Sequence, residues 1–404
     1  MNPVRHVHQL ALVAMLALGC SPSHAEFNGQ LRMDMIDTHA AGRGPLSQAN
    51  STVPGFVDGS GTEFNPQAEL RGSVGAFHAV TTLARYGSHL NELYGAFGQE
   101  AWQWTVGRRI VSWGVGEGFR PNDVVQQEPR RLLVPVLPVG RTVLMAEYLS
   151  ASSAWSVLAV NPENQRGRLE AEEPALAGRY YLRDGALDWH GTARWGLRTG
   201  VSLGGAIAAV VNDATELHVS LRWLDRADVL EADPAVTNLT SAPPWQPSTV
   251  RHATKALFGG SWTESRVGVL MEAWWDGTAA SDAQWAAWNA RNGRLAALAH
   301  VPGVPPVALA ANQAWQAHAF DAGVNLRRLN LFARANWKGE MWEPAISVLY
   351  TPADAGRSIT ASLSWQGDAL RIEVGMRLNG GPVDAVLAQV PERRAAYATS
   401  TWRF

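Results

Sequence analysis

The sequence predicts an all-β protein, a transmembrane antiparallel β-barrel of about 14 to 18 strands with long loops. Three observations carry this expectation. Apolar and polar residues alternate with period two in one segment after another. Many of the apolar faces carry a Trp or Tyr near one end, as at the interfaces of membrane barrels. Beyond residue 25 no apolar stretch approaches the ~18 residues of a membrane helix.

Composition narrows the class further. The 404 residues contain 34 Lys+Arg against 36 Asp+Glu, a formal net charge of −2, so the cationic excess of a nucleic-acid binder is missing. Charged residues make up 17%, below the roughly 25% of an ordinary soluble domain, while mean hydropathy is only −0.12. Lys occurs only at Lys255 and Lys338, so nearly all positive charge is Arg.

Residues 1–25 read as a secretory signal peptide, leaving 26–404 as a single barrel domain. Arg5 precedes the apolar run Leu10–Leu18, and Ser23 and Ala25 place small residues where a signal peptidase cuts. That run is half the ~20 residues a spanning helix needs. Ala17-Leu18-Gly19-Cys20 is an imperfect lipobox, so lipidation at Cys20 is the alternative. After a cut at Ala25 no Cys remains, which excludes disulfides.

The strands follow in chain order. Weaker alternation covers 27–38, 66–77, 78–87, 91–99, 101–113, 141–150, 153–162, 176–187 and 198–210. Leu217, Val219, Leu221 and Trp223 then alternate with Glu216, His218, Ser220 and Arg222. Segment 250–263 precedes a run in which Val267, Val269, Met271, Ala273 and Trp275 alternate with Gly268, Glu272 and Asp276. Leu329, Leu331, Ala333, Ala335 and Trp337 alternate with Arg328, Asn330, Arg334, Asn336 and Lys338, and 341–351 follows. Ile359 to Trp365 and Leu370 to Leu378 are joined by Gly367-Asp368, a hairpin turn. In the second of these, Arg371, Glu373 and Arg377 share the polar side.

Insertions separate the strands. Residues 39–63 read as a mobile loop rich in Gly, Ser, Thr and Asn. Segments 114–140 and 226–249 hold prolines that bar central strands. Segment 279–320 opens with a short helix capped by Ser281 or Asp282, with Trp285, Trp288, Leu295 and Leu298 on one face. Such a helix lies over or inside the barrel mouth as a constriction, or else forms an external loop with a local apolar patch.

The densest motif runs from Val106 to Val124. A strand ending near Trp113 enters the glycines Gly114, Gly116 and Gly118, then Phe119-Arg120-Pro121-Asn122-Asp123. No helix pattern follows, so this is no dinucleotide loop; the glycines suit a chain that bends into the lumen. Gly107, Arg108, Val111, Trp113, Gly114, Gly116, Phe119, Pro121 and Asp123 resemble a pattern found in outer-membrane barrels of the porin and exporter-associated kind. The resemblance covers fewer than 20 residues and implies the class rather than the substrate. It implies that Arg108, Arg109, Glu117, Arg120 and Asp123 face the lumen and shape a constriction. The alternative is that Arg108–Glu117 or Arg120–Asp123 are ion pairs that merely hold an internal loop.

The end of the chain carries a second resemblance. Phe404, Trp402, Ala398 and Ala396 share one face, broken by Ser400. This is similar to the last strand of Gram-negative outer-membrane proteins, which the barrel-assembly machinery reads. It implies a location in the cell outer membrane, with Trp402 and Phe404 as the insertion signal.

Catalytic patterns are thin. The eight histidines after residue 25 show no zinc spacing and no H-E-x-x-H, and G-x-S-x-G is absent. No enzyme activity, cofactor or metal is expected, although His218 or His252 would be the candidate base of a barrel hydrolase. The expected function is a channel, or a conduit associated with an inner-membrane exporter, for small or hydrophobic solutes. The alternative from another class is a surface scaffold that binds or anchors a polysaccharide. The polar faces supply the lumen charge: Arg222, Arg328, Arg334, Arg371, Arg377 and Arg403 favour anions, while Glu216, Glu272 and Glu373 oppose that preference.

Removing Phe404 is expected to reduce the folded barrel in membranes several-fold, read as loss of the heat-dependent gel shift. Unchanged assembly would separate the terminal residue from insertion.

Overall fold

The computed structural model describes residues 25–85, 87–127, 130–161, 173–233, 235–236, 238–321 and 323–404, so residues 1–24, with Cys20 and most of the expected signal peptide, lie outside it. Eighteen strands form one sheet, at the top of the range expected from sequence. They are β1 (Ala25–Ala40), β2 (Gly61–Val74), β3 (Phe77–Ala84), β4 (His89–Gln99), β5 (Trp102–Arg109), β6 (Arg141–Leu149), β7 (Ser153–Val160), β8 (Ala175–Asp184) and β9 (Leu187–Gly196). The second half comprises β10 (Gly200–Asn212), β11 (Thr215–Ala232), β12 (Trp245–Glu264), β13 (Val267–Asp276), β14 (Leu329–Trp337), β15 (Trp342–Thr351), β16 (Gly356–Gln366), β17 (Leu370–Gly380) and β18 (Glu392–Arg403).

Each strand pairs antiparallel with its sequence neighbours, and β1 pairs with both β2 and β18. The seam runs continuously from Gln30↔Arg403 to His39↔Arg394, so the sheet closes without an edge. Phe404 adds two backbone bonds with Gly29, 3.0 Å each, beyond the end of that ladder.

The faces are inverted relative to a water-soluble sheet. Leu31, Met33 and Met35 are exposed on β1, as are Leu217, Val219 and Leu221 on β11, while Asp34, His218, Ser220 and Arg222 between them are buried. Apolar side chains that face outward in a continuous belt match hydrocarbon, not water, as their surroundings. Outward aromatics gather near both rims. Trp102, Trp104 and Tyr148 cluster near one end with Phe77 against Phe97 and Trp155 against Tyr180. Trp195, Trp223 and Trp275 stand nearer the other.

The two ends differ. At one, hairpins turn within two residues, as at Gly75-Ala76, Gly185-Ala186 and Ser265-Arg266. Gly75, Gly185 and Ser265 have φ of 58°, 61° and 52°, the left-handed geometry of tight hairpin turns. The opposite end carries the long connections 41–60, 110–140, 233–244, 277–328 and 381–391.

Three elements depart from expectation. β9 has no counterpart among the predicted strands, because Gly191 and Ala193 interrupt its outward side between Trp189 and Trp195. Segment 39–63 holds helix α1 (Pro45–Thr52), with Pro at its first turn where the missing N–H costs nothing. Segment 226–249 is largely strand: β11 and β12 rise together above the barrel, with Pro247 opposite Leu230. Proline is tolerated there because β12 meets β13 only from Lys255 onward, leaving this part of β12 paired on one side.

The 277–328 connection forms a lid of α2 (Asp282–Leu298), α3 (Pro306–Trp315) and a 3-10 turn (Gln316–Asp321). Ser281 caps α2 in a reciprocal box with Gln284, and Trp285, Trp288 and Leu295 are buried as the sequence pattern requires. Thr52 Oγ1 donates to Gln313 Oε1 at 2.8 Å, tying α1 to α3. Trp285 and Trp288 pack with Ala319 and Val386, joining the lid to the β17–β18 connection.

Quenchers on lipid acyl chains are expected to reach the outward tryptophans. In bilayers of brominated phospholipid the Trp emission should fall by more than half, and replacing both buried Trp285 and Trp288 with Phe should leave the quenched fraction nearly unchanged. Emission insensitive to bromine would contradict an outer face in contact with lipid.

Candidate functional site

The site is built by the connection from β5 to β6, residues 110–140, which folds into the lumen rather than outward. Its first stretch binds by apolar contact. Val111, Trp113, Val124 and Val125 pack on Val143, Met145, Leu158, Val160, Ala175 and Ala177, inward residues of β6, β7 and β8. Where the loop covers them, those strands are therefore apolar on both faces, while Glu147, Ser156 and Arg179 keep the rest of their inner side polar.

The glycine run then crosses to the facing wall. Asp123 Oδ1 accepts from Ser112 Oγ at 2.8 Å, Trp113 N at 3.0 Å and Gly114 N at 2.7 Å, which sets the first bend. Gly116 has φ 109°, and a Cβ there would strike Phe119 O and Leu257. The amides of Glu117 and Gly118 each donate at 2.7 Å to the Glu272 carboxylate, one to each oxygen. His218 Nε2 lies 3.0 Å from Glu272 Oε1. Phe119 packs on Leu257 and Trp274. Asn122 Nδ2 donates at 2.8 Å to Gly205 O and to Ser220 Oγ, in a space that exists because Gly204 lacks a side chain.

The far arm of the loop faces open space. A cavity of about 560 Å³ lies between loop residues 130–135 and the inner wall of β14 to β18. Arg334, Ser347, Thr360 and Arg377 occupy paired register positions on β14, β15, β16 and β17. With ~4.8 Å between strands, the two arginine positions stand about 14 Å apart with two hydroxyls between them. Arg377 Nε donates to Thr360 Oγ1 at 3.0 Å. Arg334 is exposed in the cavity and makes no hydrogen bond or ion pair among the described residues.

Opposite them, Arg131 stacks over Trp274 at 4.9 Å and donates to Val324 O at 2.9 Å and Asn325 Oδ1 at 2.8 Å. Burial, and then the positive charge of Arg377, lower its guanidinium pKa to about 10. Two carboxylates line the cavity, Glu392, exposed at the start of β18, and Glu373. Glu373 accepts from Tyr397 Oη at 2.8 Å and from Arg371 at 3.0 Å, so its charge is partly matched locally. The cavity roof is lid: Phe320 and Leu326, with Leu387 of the β17–β18 connection.

The sequence candidates separate into groups. Arg334, Glu373 and Arg377 line the cavity, and Arg371 sits beside Glu373 toward the tight-turn end. Arg109 faces the lumen on the β4–β6 side, 5.3 Å from the Tyr94 ring and 3.7 Å from Glu147. Glu117 and Arg130 approach to 3.8 Å on the loop, and Arg120 bonds Gly116 O and Ser112 Oγ within it. Asp123 and Arg222 are buried, the latter against Ser202. Two placements differ from expectation. Arg108 shares the outward side of β5 with Trp104 and Val106, and donates to Leu90 O at 3.3 Å. Arg328 lies just before β14, 6.0 Å from the ring of outward Trp275, with its Nε on Ala279 O. Trp402 and Phe404 are outward neighbours, with ring centroids 5.3 Å apart.

Other residues gain importance only in three dimensions. Arg130, Arg131 and Tyr397 carry no pattern in the sequence beyond the Arg130-Arg131 pair in a Pro-rich loop, and Asn122 stands in the Val106–Val124 motif without a role of its own. The candidate bases are otherwise engaged: His218 is buried on Glu272, and His252 stacks on outward Trp223 at 6.1 Å.

No protein-family model and no curated protein matches the chain. Solved structures of outer-membrane porins share its fold. Pseudomonas aeruginosa OccK8 (OprE) superposes with TM-score 0.53 at 8% identity, covering 94% of this chain and 98% of that one. Pseudomonas aeruginosa OccK5 (OpdH) gives TM-score 0.51 at 8% identity, with 94% and 98% covered. Acinetobacter baumannii OccAB1 gives TM-score 0.53 at 8% identity, with 94% and 96% covered.

Glu272→Gln removes the charge that receives two loop amides. Weakening those bonds by about 1.5–3 kcal/mol is expected to speed hydrogen exchange at Glu117 and Gly118 by about 10- to 100-fold. Exchange within twofold of the wild type would show that apolar contact alone holds the loop.

Proposed function

We propose that this protein is an outer-membrane channel for small hydrophilic solutes, with a constriction that favours anions. The observation that carries the reading is the cavity between the internal loop and β14–β18. Four arginines, Arg130, Arg131, Arg334 and Arg377, surround it against two carboxylates, Glu392 at the start of β18 and Glu373, which is already bonded to Tyr397 and Arg371. Barrels of about 16 to 18 strands leave an aqueous passage, and an internal loop narrows it to a size at which wall charges act on every passing solute. Long connections at one end and tight turns at the other suit outer-membrane topology, with the lid toward the exterior. Association with an inner-membrane exporter remains a proposal about partners. It would join the channel at its tight-turn end.

The reading is tested in planar bilayers with purified refolded protein. Discrete conductance steps and a chloride-favouring reversal potential are expected. Arg334→Ala and Arg377→Ala should each lower the chloride-to-potassium permeability ratio about two- to fivefold, as expected for removing ~0.5–1 kcal/mol of Coulomb attraction in a hydrated lumen. The effect should shrink in ~1 M salt, where screening acts within about 3 Å. Silent bilayers, or selectivity indifferent to both arginines, would refute it.

A further inference from the structure

A second cavity lies outside the lumen, between α2 and the raised arms of β11 and β12. Its volume is about 270 Å³, at the small end of ligand pockets, which run to about 300–1,000 Å³. Its walls are indoles: Trp245 from the start of β12, and Trp285 and Trp288 from α2. The two helix indoles meet edge to face at 5.2 Å and 83°. Trp285 Nε1 donates to Leu326 O at 2.8 Å and Trp288 Nε1 to Gln316 O at 3.0 Å, so both rings are fixed before any ligand arrives.

Polar groups at the same cavity are incompletely matched. Trp245 Nε1, Arg291 Nε and both amide atoms of Gln316 are buried without a hydrogen-bond partner among the described residues. Buried polar atoms are seldom left unmatched, and here three residues of one small pocket carry them. The acids on its edge are engaged: Glu231 Oε1 accepts from Gln284 at 2.8 Å and Asp233 Oδ1 from Ala235 N at 2.9 Å. Arg294 is exposed at the rim and has no partner among the described residues. Burial, and then the charge of Arg294, lower the Arg291 guanidinium. Two guanidiniums that repel each other beside an indole-walled slot favour a flat ring bearing an acceptor-rich negative group.

We propose that this pocket binds a small planar aromatic anion of one or two rings at the outer mouth of the barrel. The ring lies among the three indoles, and the anionic group meets Arg294 and the Nε of Arg291, whose two terminal nitrogens are held by Val236 O, Asn238 O and Asn312 Oδ1. The pocket shares a thin wall with the lumen, because Phe320 stacks on Trp285 at 6.5 Å and lines the cavity beneath the lid. Binding here does not depend on conduction, so this site and the channel reading stand or fall separately.

The test is isothermal titration of the full-length barrel in detergent with 2-naphthoate. Adamantane-1-carboxylate serves as an anion of the wrong shape and 2-naphthylmethanol as a ring without charge. Saturable one-to-one binding of 2-naphthoate is expected, at least tenfold tighter than either control. Ala287→Trp, at an exposed position of α2 on the pocket edge, should weaken it at least tenfold by filling the space. Arg294→Gln should weaken it about threefold, and the double variant Arg334→Ala, Arg377→Ala in the lumen should leave it unchanged. The proposal is overturned by absence of saturable binding, by equal affinity in Ala287→Trp, or by loss in the lumen variant, which would place the ligand in the channel. Preference for adamantane-1-carboxylate would likewise overturn it.

Discussion

Hydrocarbon has no hydrogen-bond partners to offer, and the rest of the structure follows from that. Each unpaired backbone group at membrane depth costs several kcal/mol, so a strand there must be paired on both sides. The β1–β18 seam meets that requirement over the whole of its length. Once the sheet is closed, period-two geometry sends every other side chain to lipid and the rest to the lumen. The apolar belt of Leu31, Met33 and Met35 and the buried Asp34 between them are two faces of one rule.

A barrel of this width has too much interior to fill with wall side chains alone. The β5–β6 loop solves this with two chemistries on opposite sides. Against β6, β7 and β8 it uses valines and Trp113 on an apolar inner wall. Against β10 to β13 it uses backbone amides aimed at Glu272 and the Asn122 amide on Gly205 and Ser220. The first contact has little direction, whereas the second fixes position. The loop is therefore both held down and registered, and its remaining arm bounds a cavity of defined shape.

How much of this the sequence discloses depends on whether the signal is local. Alternation is local, so the class, the strand range and most strands are legible, as are the capped helix at Ser281 and its buried indoles. β9 is not, because Gly191 and Ala193 erase its outward apolar side although the ladder to β8 and β10 is intact. The inner apolar wall of β6 to β8 is also hidden, since Val143 and Met145 acquire their role only from a loop about 20 to 30 residues upstream in the chain. The constriction is half legible. Arg334 and Arg377 announce themselves by alternation, but Arg131 has no periodic context, and Arg108 misleads because only the register of β5 shows which side it takes.

The near-neutral charge of the chain conceals an uneven allocation inside it. Several inward carboxylates are structural acceptors: Asp123 closes the loop bend, Glu272 receives loop amides, and Asp276 accepts from Asn325 at 2.8 Å. All three are buried and none lines the β14–β18 cavity, so their charge acts on a solute there only from a distance. The arginines are arranged the other way. Arg377 leans on a hydroxyl, Arg131 on neutral oxygens and an indole face, and Arg334 on nothing described. Neutral partners orient a guanidinium without cancelling its field. Near-equal numbers of acids and bases can thus give a cavity lined by more arginines than carboxylates, because the fold decides which of them face it.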